Sequence, residues 1–256
     1  MHILVTNDDG ILAPGIAALA EALRPLGDVD VVAPESVQSG AGHAITFDAP
    51  LICERVSVDG SFFGWSVDGR PADCVKLGVH ELCRKRPDLV VSGINAGANR
   101  GVDVIYSGTV AGAVEAAFIG IPSVAVSLEA SGGFDFEQAG SIARKVVARA
   151  LEIGIDPGTV LNVNIPRLDE RAPRGVRVVR QSTAPWTDTY DRRADPRGRP
   201  YFWLGDEGER GTGDPPETDL SALRAGYVTI TPLQHDLTEY EQLRRLEGAW
   251  PVDDRS

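Results

Sequence analysis

The chain has 256 residues, of which 43% are hydrophobic and 24% charged, and its formal net charge is −12. Such a size and composition suit one large soluble α/β domain, alone or with a smaller appendage. The acidic balance excludes phosphate-backbone binding as the main activity, because that needs a basic face; an anionic substrate would have to be held by a metal ion or by helix N-termini.

In chain order, residues 3–6 (ILVT) predict a buried strand. Pro14 then opens a helix with Ile16, Leu19, Ala20 and Leu23 at helical spacing, closed by Gly27. A second strand is expected over 29–33, a polar loop SVQSGAGH over 36–43, and extended segments, read as a hairpin, over 45–58. PADCVKLGVHELCRK carries Ala72, Val75, Val79 and Leu82 on one face and predicts a helix. DLVVS (88–92) is a short strand, 93–108 a long polar loop and 109–119 a small-residue helix. Strands follow over 122–128 and 160–165, with an amphipathic helix over 136–153 between them. This βαβ rhythm predicts a largely parallel sheet with helices on both faces, whose ligands bind beyond the carboxyl ends of the strands.

From about residue 170 the texture changes. Strands are expected over 176–179 and 227–231 and a terminal helix over 237–246, while 184–218 mixes Trp, Tyr, Arg and Asp with little periodicity. The whole chain reads as a single domain over 1–256: an α/β core over about 1–170, then an extension over about 171–256 carrying an arm, a strand and the terminal helix. The arginines of DRRADPRGRPYFW alternate with aspartates, which favours a subunit-contact arm over nucleic-acid binding. No segment has the roughly 18 consecutive apolar residues of a membrane span, and no basic region precedes the first apolar run, so the expected location is the cytoplasm. Cys53, Cys74 and Cys83 are odd in number and lack C-x-x-C spacing, and they read as reduced, buried thiols.

Three polar loops follow three predicted strands: NDDG, SVQSG and SGINAGAN. A parallel sheet brings all three to one edge. Asp8 and Asp9 can share a target only if the chain turns beside them, and Gly10 permits that turn. With Ser39 and Asn95 they make a hard, oxygen-rich donor set suited to Mg²⁺ or Mn²⁺. The plainer reading is one aspartate as a helix cap and the other as a solvated charge. In YSGTVAGAVEAAF, Ser107 or Thr109 caps a helix, and the N–H groups around Gly108 suit either a phosphate or an ordinary cap. Asn7 and His43 flank these groups, His43 either facing substrate or structural. His80 and His235 read as structural and Asp73 as a helix cap, while Glu115 could reach the sheet edge but reads rather as part of a solvated face.

TNDDG, APESVQSGAGHAIT, GRPADCVKLG, DLVVSGINAGANRGVDVIYSGTVAGAVEAAFIGIPSVAVS, VLNVNIP and TDLSALRAGYVTITPL, in that order, resemble the SurE (survival protein E) family of metal-dependent nucleotidases. The resemblance implies a Rossmann-like three-layer α/β/α fold with a mostly parallel sheet, and a C-terminal extension that builds a homodimer or homotetramer. It implies release of phosphate from nucleoside 5′- and 3′-monophosphates, and in some members from short polyphosphate. It implies one divalent metal ion per subunit, Mg²⁺ or Mn²⁺, on Asp8, Asp9, Ser39 and Asn95. Phosphate contacts carry over to Asn99, Ser107, Gly108 and Thr109, and catalysis to Asp8 and Asp9. Gly42-His43 and Arg70 depart from the family pattern at positions that bear on substrate preference. Three rivals predict other features. A nucleotide-cofactor oxidoreductase wants G-x-G-x-x-G where NDDG stands. A haloacid-dehalogenase-type phosphatase wants D-x-D, and a non-catalytic nucleotide-binding protein would bind without turnover.

Overall fold

The computed structural model describes residues 1–130, 133–168, 172–185, 189–205 and 214–250. The first half runs β1 (His2–Thr6), α1 (Pro14–Leu23), β2 (Asp28–Pro34), β3 (Cys53–Val58), β4 (Ser61–Val67), α2 (Pro71–Leu77), β5 (Leu89–Ala96), α3 (Asp103–Tyr106) and α4 (Gly108–Phe118). It continues through β6 (Ser123–Leu128), α5 (Phe136–Ile153), β7 (Thr159–Ile165) and β8 (Val176–Val178). The remainder is β9 (Tyr190–Ala194), β10 (Pro200–Leu204), α6 (Asp219–Arg224), β11 (Val228–Gln234) and α7 (Tyr240–Ala249).

Nine strands form one sheet in the order β3-β4-β2-β1-β5-β6-β7-β11-β8. Pairing is parallel from β4 through β2, β1, β5 and β6 to β7. β1 is buried at all five positions, as a strand covered on both faces must be. Ile3 and Val5 pack under α1 and α5, while Leu4 meets Val32, Cys74 and Val75 beneath α2 on the other face. The expected three-layer α/β architecture is therefore the observed one. The chain leaves β1 toward β2 and β4, then returns to β5 on β1's other side. The crevice beyond the carboxyl ends of β1, β2 and β5 is the switch point where such sheets bind ligands.

Several elements differ from expectation. Regular pairing in the 45–58 segment begins only at Cys53, and its hairpin partner is β4, which the sequence reading missed. The helix over 71–85 is α-helical only to Leu77 and then widens into a π-turn, in which Cys83 N bonds Gly78 O at 2.9 Å. The loop over 93–108 is shorter, because β5 runs on past an irregularity after Ser92 to pair Asn95 and Ala96 with β6. β11 reaches Gln234 because it pairs antiparallel along the whole of β7. α6 was not expected; Thr218 Oγ1 caps it by accepting the Ser221 N–H at 3.3 Å. Within the expected arm, β9 and β10 form an exposed antiparallel hairpin. The parts of that arm at 186–188 and 206–213 lie outside the described residues.

Candidate active site

Just after β1, the Asn7 side chain closes a local ring. Its Nδ2 donates to Gly10 O at 2.9 Å and its Oδ1 accepts the Gly10 N–H at 3.2 Å. Gly10 sits at φ +101°, where a side chain would be strained. The turn presents Asp8 and Asp9 to the switch point. Asp8 O accepts the Gln38 N–H at 2.7 Å, stitching on the loop after β2, and Asp9 Oδ2 accepts the Ala96 N–H at 3.2 Å at the end of β5. The three loops therefore meet at one edge.

The N-terminus of α4 joins them. Ser107 Oγ caps it by accepting the Val110 N–H at 3.1 Å. A Cβ on Gly108 would lie 2.7 Å from Asp8 Cβ, so only glycine lets the helix approach this closely. The buried Thr109 hydroxyl donates to Asp8 Oδ1, and the Thr109 backbone N–H also serves that carboxylate. Asp8 is 4% exposed. Burial pushes its carboxyl up to about 6; the Thr109 hydroxyl works against that shift and the Asp9 charge adds to it. Among the described residues no Lys, Arg or His forms an ion pair with Asp8 or Asp9. Two adjacent carboxylates without a cationic partner, beside neutral oxygen donors, fit a hard divalent cation.

Ser39 is exposed on the loop tied to Asp8 through Gln38, and Arg70 reaches across to donate to Gln38 Oε1. Asn95 Nδ2 donates to Gly97 O at 2.8 Å, which leaves Oδ1 as the atom it can offer a cation. Asn99 is buried. Its Nδ2 donates to Ser127 Oγ at 2.9 Å, and its carbonyl accepts from Asn162 and Asn164. Two of the expected phosphate contacts thus already have work inside the protein: the Thr109 hydroxyl fixes Asp8, and Asn99 anchors its loop to β6 and β7.

Glu115 corrects the sequence reading. It is 4% exposed rather than solvated, with Oε2 2.8 Å from His43 Nε2 and Oε1 3.0 Å from Lys76 Nζ. Burial alone would raise its carboxyl, but the His43 and Lys76 hydrogen bonds and the Lys76 charge outweigh that and hold it below the ordinary value. Asp73 caps α2 as expected, accepting the Arg70 N–H at 2.9 Å. Asp219 was missed. It is fully buried and accepts the N–H groups of Gly101, Ser182 and Leu220 at 2.9, 2.9 and 2.7 Å. Its signal was the T-D-L-S pattern of a capped helix, which gives no hint of the distant Gly101. At the opposite end of β1, ligand atoms of His2, Asp30 and Cys83 lie within 4.8 Å of one another. There His2 Nε2 is 2.8 Å from Asp30 Oδ2, Arg84 closes on Asp30 Oδ1 at 3.0 Å, and burial, with the Asp30 charge, pushes the Cys83 thiol up to about 12. That cluster is remote from the switch point.

A family model described as Survival protein SurE matches residues 3–188. The chain belongs to the SurE family. A protein named 5′-nucleotidase SurE from Pelobacter propionicus is 49% identical to it over 247 residues, 95% of this chain and 97% of that one. Another of that name, from Syntrophobacter fumaroxidans, is 48% identical over 98% of this chain and 99% of its own. The crystal structure of the SurE protein from Aquifex aeolicus matches with a TM-score of 0.85 at 42% identity, over 97% of this chain and 99% of that chain. The fold is thus shared with the Aquifex aeolicus protein over nearly the full length of both chains.

Proposed function

We propose that the chain is a divalent-metal-dependent phosphomonoesterase that hydrolyses nucleoside monophosphates to nucleoside and phosphate, a 5′-nucleotidase that also accepts 3′-monophosphates and short polyphosphate. The observation that carries this reading is Asp8: a buried carboxylate beside a second carboxylate, at the N-terminus of α4, with no cationic side chain paired to it among the described residues. The names of the relatives supply the substrate class.

Asp8, Asp9, Ser39 and Asn95 would hold one Mg²⁺ or Mn²⁺. When bound, such an ion neutralises phosphoryl charge and acts as a Lewis acid. The rest is the work of the chain. The Gly108 N–H at the positive end of α4 and the Ser107 turn hold phosphate oxygens, with Asn99 behind them. Thr109 fixes the rotamer of Asp8, and Asp8 orients the attacking water and accepts its proton. Asn7 and Gly10 keep both aspartates on one turn, and His43 lines the approach. The adjacent Asp-Asp pair does not fit the D-x-D of a phospho-aspartate phosphatase, and trapping a phospho-aspartate would reinstate that mechanism.

The assembly is a homodimer or homotetramer through the C-terminal extension, soluble in the cytoplasm, with no nucleic-acid or membrane partner. The β9–β10 hairpin supports this, since Trp203 is 62% exposed, with Tyr190, Phe202 and Leu204 exposed beside it. The deciding experiment is phosphate release from AMP with Mn²⁺ or Mg²⁺. Turnover should require the metal, and full activity in excess chelator, or in the Asp8→Asn protein, would overturn the mechanism.

A further inference from the structure

At the amino edge of the sheet, away from the switch point, His2, Asp30 and Cys83 bring a ring nitrogen, a carboxylate oxygen and a sulfur within 4.8 Å of one another. Three elements converge there. Leu4 lies beside Asp30 in the parallel register, so His2 on β1 and Asp30 on β2 share the face that α2 covers. Cys83 arrives on the π-turn that follows α2, and such insertions into a helix recur at functional sites. His2 is held firmly although it is the second residue. Asp88 Oδ2 accepts its backbone N–H at 2.7 Å, its carbonyl accepts the Asp88 N–H at 2.8 Å, and it is 1% exposed.

We infer that these three side chains form a zinc site, separate from the Asp8 site, that ties the start of β1 to β2 and to the turn after α2, with a water as the fourth ligand. The donor set is the first argument. An imidazole nitrogen, a thiolate sulfur and one carboxylate oxygen make the mixed set that zinc takes, whereas Mg²⁺ wants oxygen alone. The chain thus carries a soft and a hard donor set at opposite ends of β1. Spacing is the second. Zinc bonds of about 2.0 to 2.3 Å at tetrahedral angles set N, O and S ligands about 3.3 to 3.6 Å apart. That range lies between the 2.8 Å that separates His2 Nε2 from Asp30 Oδ2 and the 4.8 Å that bounds the cluster.

The buried imidazole is the third argument. Although Nε2 is close to Asp30 Oδ2, the two do not meet along a hydrogen-bond direction, and among the described residues neither ring nitrogen of His2 has a hydrogen-bond partner. A plain histidine–aspartate pair aligns its N–H with the carboxylate. Two ligands of one ion instead stand side by side, both directed at the metal. Arg84 supplies the outer support. Its Nε donates to Asp30 Oδ1 and its backbone N–H to Oδ2, each at 3.0 Å, which orients the carboxylate and leaves Oδ2 a lone pair for the ion. On binding, the Cys83 thiol proton leaves to solvent as the sulfur bonds the ion.

The test uses the full chain, stripped of metal, kept reduced with a phosphine and held in excess Mg²⁺. Co²⁺ stands in for zinc as a spectroscopic probe. It should give a thiolate-to-cobalt charge-transfer band in the near ultraviolet and strong tetrahedral bands in the visible, and Zn²⁺ should bleach both. The Asp8→Asn protein should keep these bands. Cys83→Ser, folded by circular dichroism, should lose the charge-transfer band and bind Zn²⁺ at least about a hundredfold more weakly, the upper end of what an outer-shell partner alone costs. In scanning fluorimetry, Zn²⁺ at about a hundred times its Kd should raise the melting temperature of the Asp8→Asn protein by about 5 °C or more. Adding His2→Gln, which leaves every cysteine in place, should remove that shift. Absence of a charge-transfer band in the wild-type protein, its survival in Cys83→Ser or its loss in Asp8→Asn would overturn the site.

Discussion

Two carboxylates on the same helix neighbourhood are equally buried and behave in opposite ways. Asp8, at the N-terminus of α4, and Glu115, two turns further on, are each 4% exposed. Burial disfavours the charge on both. Glu115 has Lys76 and His43 on its two oxygens and its carboxyl is held low, whereas Asp8 has a threonine hydroxyl and another carboxylate for neighbours and is raised to about 6. Burial is therefore not what separates a structural carboxylate from a functional one. The difference is whether the protein supplies the counter-charge. Glu115 is complete within the chain, whereas Asp8, on the proposed reading, is left for a ligand to complete.

The sharpest way to break this comparison is Asp8→Asn. The amide keeps an acceptor for Thr109 and discards the uncompensated charge. Activity on AMP should fall at least about a hundredfold, the scale of losing a preorganised electrostatic group. In scanning fluorimetry, added Mn²⁺ should raise the melting temperature of the wild-type protein and leave that of the variant unchanged. A variant that keeps both activity and metal response would make Asp8 another Glu115.

The same contrast appears as a pH dependence. In chelated protein the folded Asp8 carboxyl lies at about 6 against an ordinary 3.8, so between these values the native state binds more protons than the unfolded one. Stability then falls as pH rises from about 4 to 6, by on the order of 3 kcal/mol from this group. Glu115 has the opposite sign: its contribution is present above its ordinary 4.5 and disappears as pH drops through its lowered folded value. Urea denaturation of metal-free wild-type and Asp8→Asn proteins across pH 4 to 8 separates the two. The wild-type curve should lose the additional stability above pH 6 and the Asp8→Asn curve should not. Metal affinity should also weaken below about pH 6, where protons compete for Asp8.

Much of this was legible in the sequence, and the reasons are physical. The order of strands and helices follows from hydrophobic period, which burial on both faces of the sheet enforces, so Leu4 and Val5 announce their strand without help from the rest of the chain. The convergence of NDDG, SVQSG and SGINAGAN follows from the parallel topology alone. What escaped depends on partners far away in sequence. Glu115 looks like an exposed helical charge until Lys76 and His43, 39 and 72 residues distant, close on it. β4, by contrast, did carry a local signal, the Asp59-Gly60 turn that pairs it with β3, and was overlooked, whereas Asp219 is recognisable only through Gly101, 118 residues away. Thr109 carries a capping pattern whatever its hydroxyl meets, so its bond to Asp8 lies outside any local signal.

Asp219 tests how far the extension supports the core. Its carboxylate gathers three backbone N–H groups, one of them on the loop that follows Asn99. Asp219→Ala should cost on the order of 2 kcal/mol, because buried donors are left unpaired. It should also loosen the 99–103 segment, read as faster amide exchange at Gly101, and lower kcat on AMP severalfold. Unchanged exchange at Gly101 would show that the extension and the site are mechanically separate.

The smallest effect belongs to Glu115→Gln. Glutamine matches the shape and can still accept from Lys76 and meet His43, so no partner is stranded; what is lost is charge assistance in two hydrogen bonds. Charged bonds exceed neutral ones by about 1 kcal/mol, and the variant should be destabilised by about that much at pH 7. Its disadvantage should vanish in acid, because protonation of the wild-type carboxyl makes the two side chains equivalent. Metal response should be intact, since nothing at the N-terminus of α4 has changed. A Glu115→Gln protein that lost its response to Mn²⁺, or gained stability at pH 7 as Asp8→Asn should, would mean that the charge on Glu115 is not met by Lys76 and His43, and the distinction between the two carboxylates would collapse.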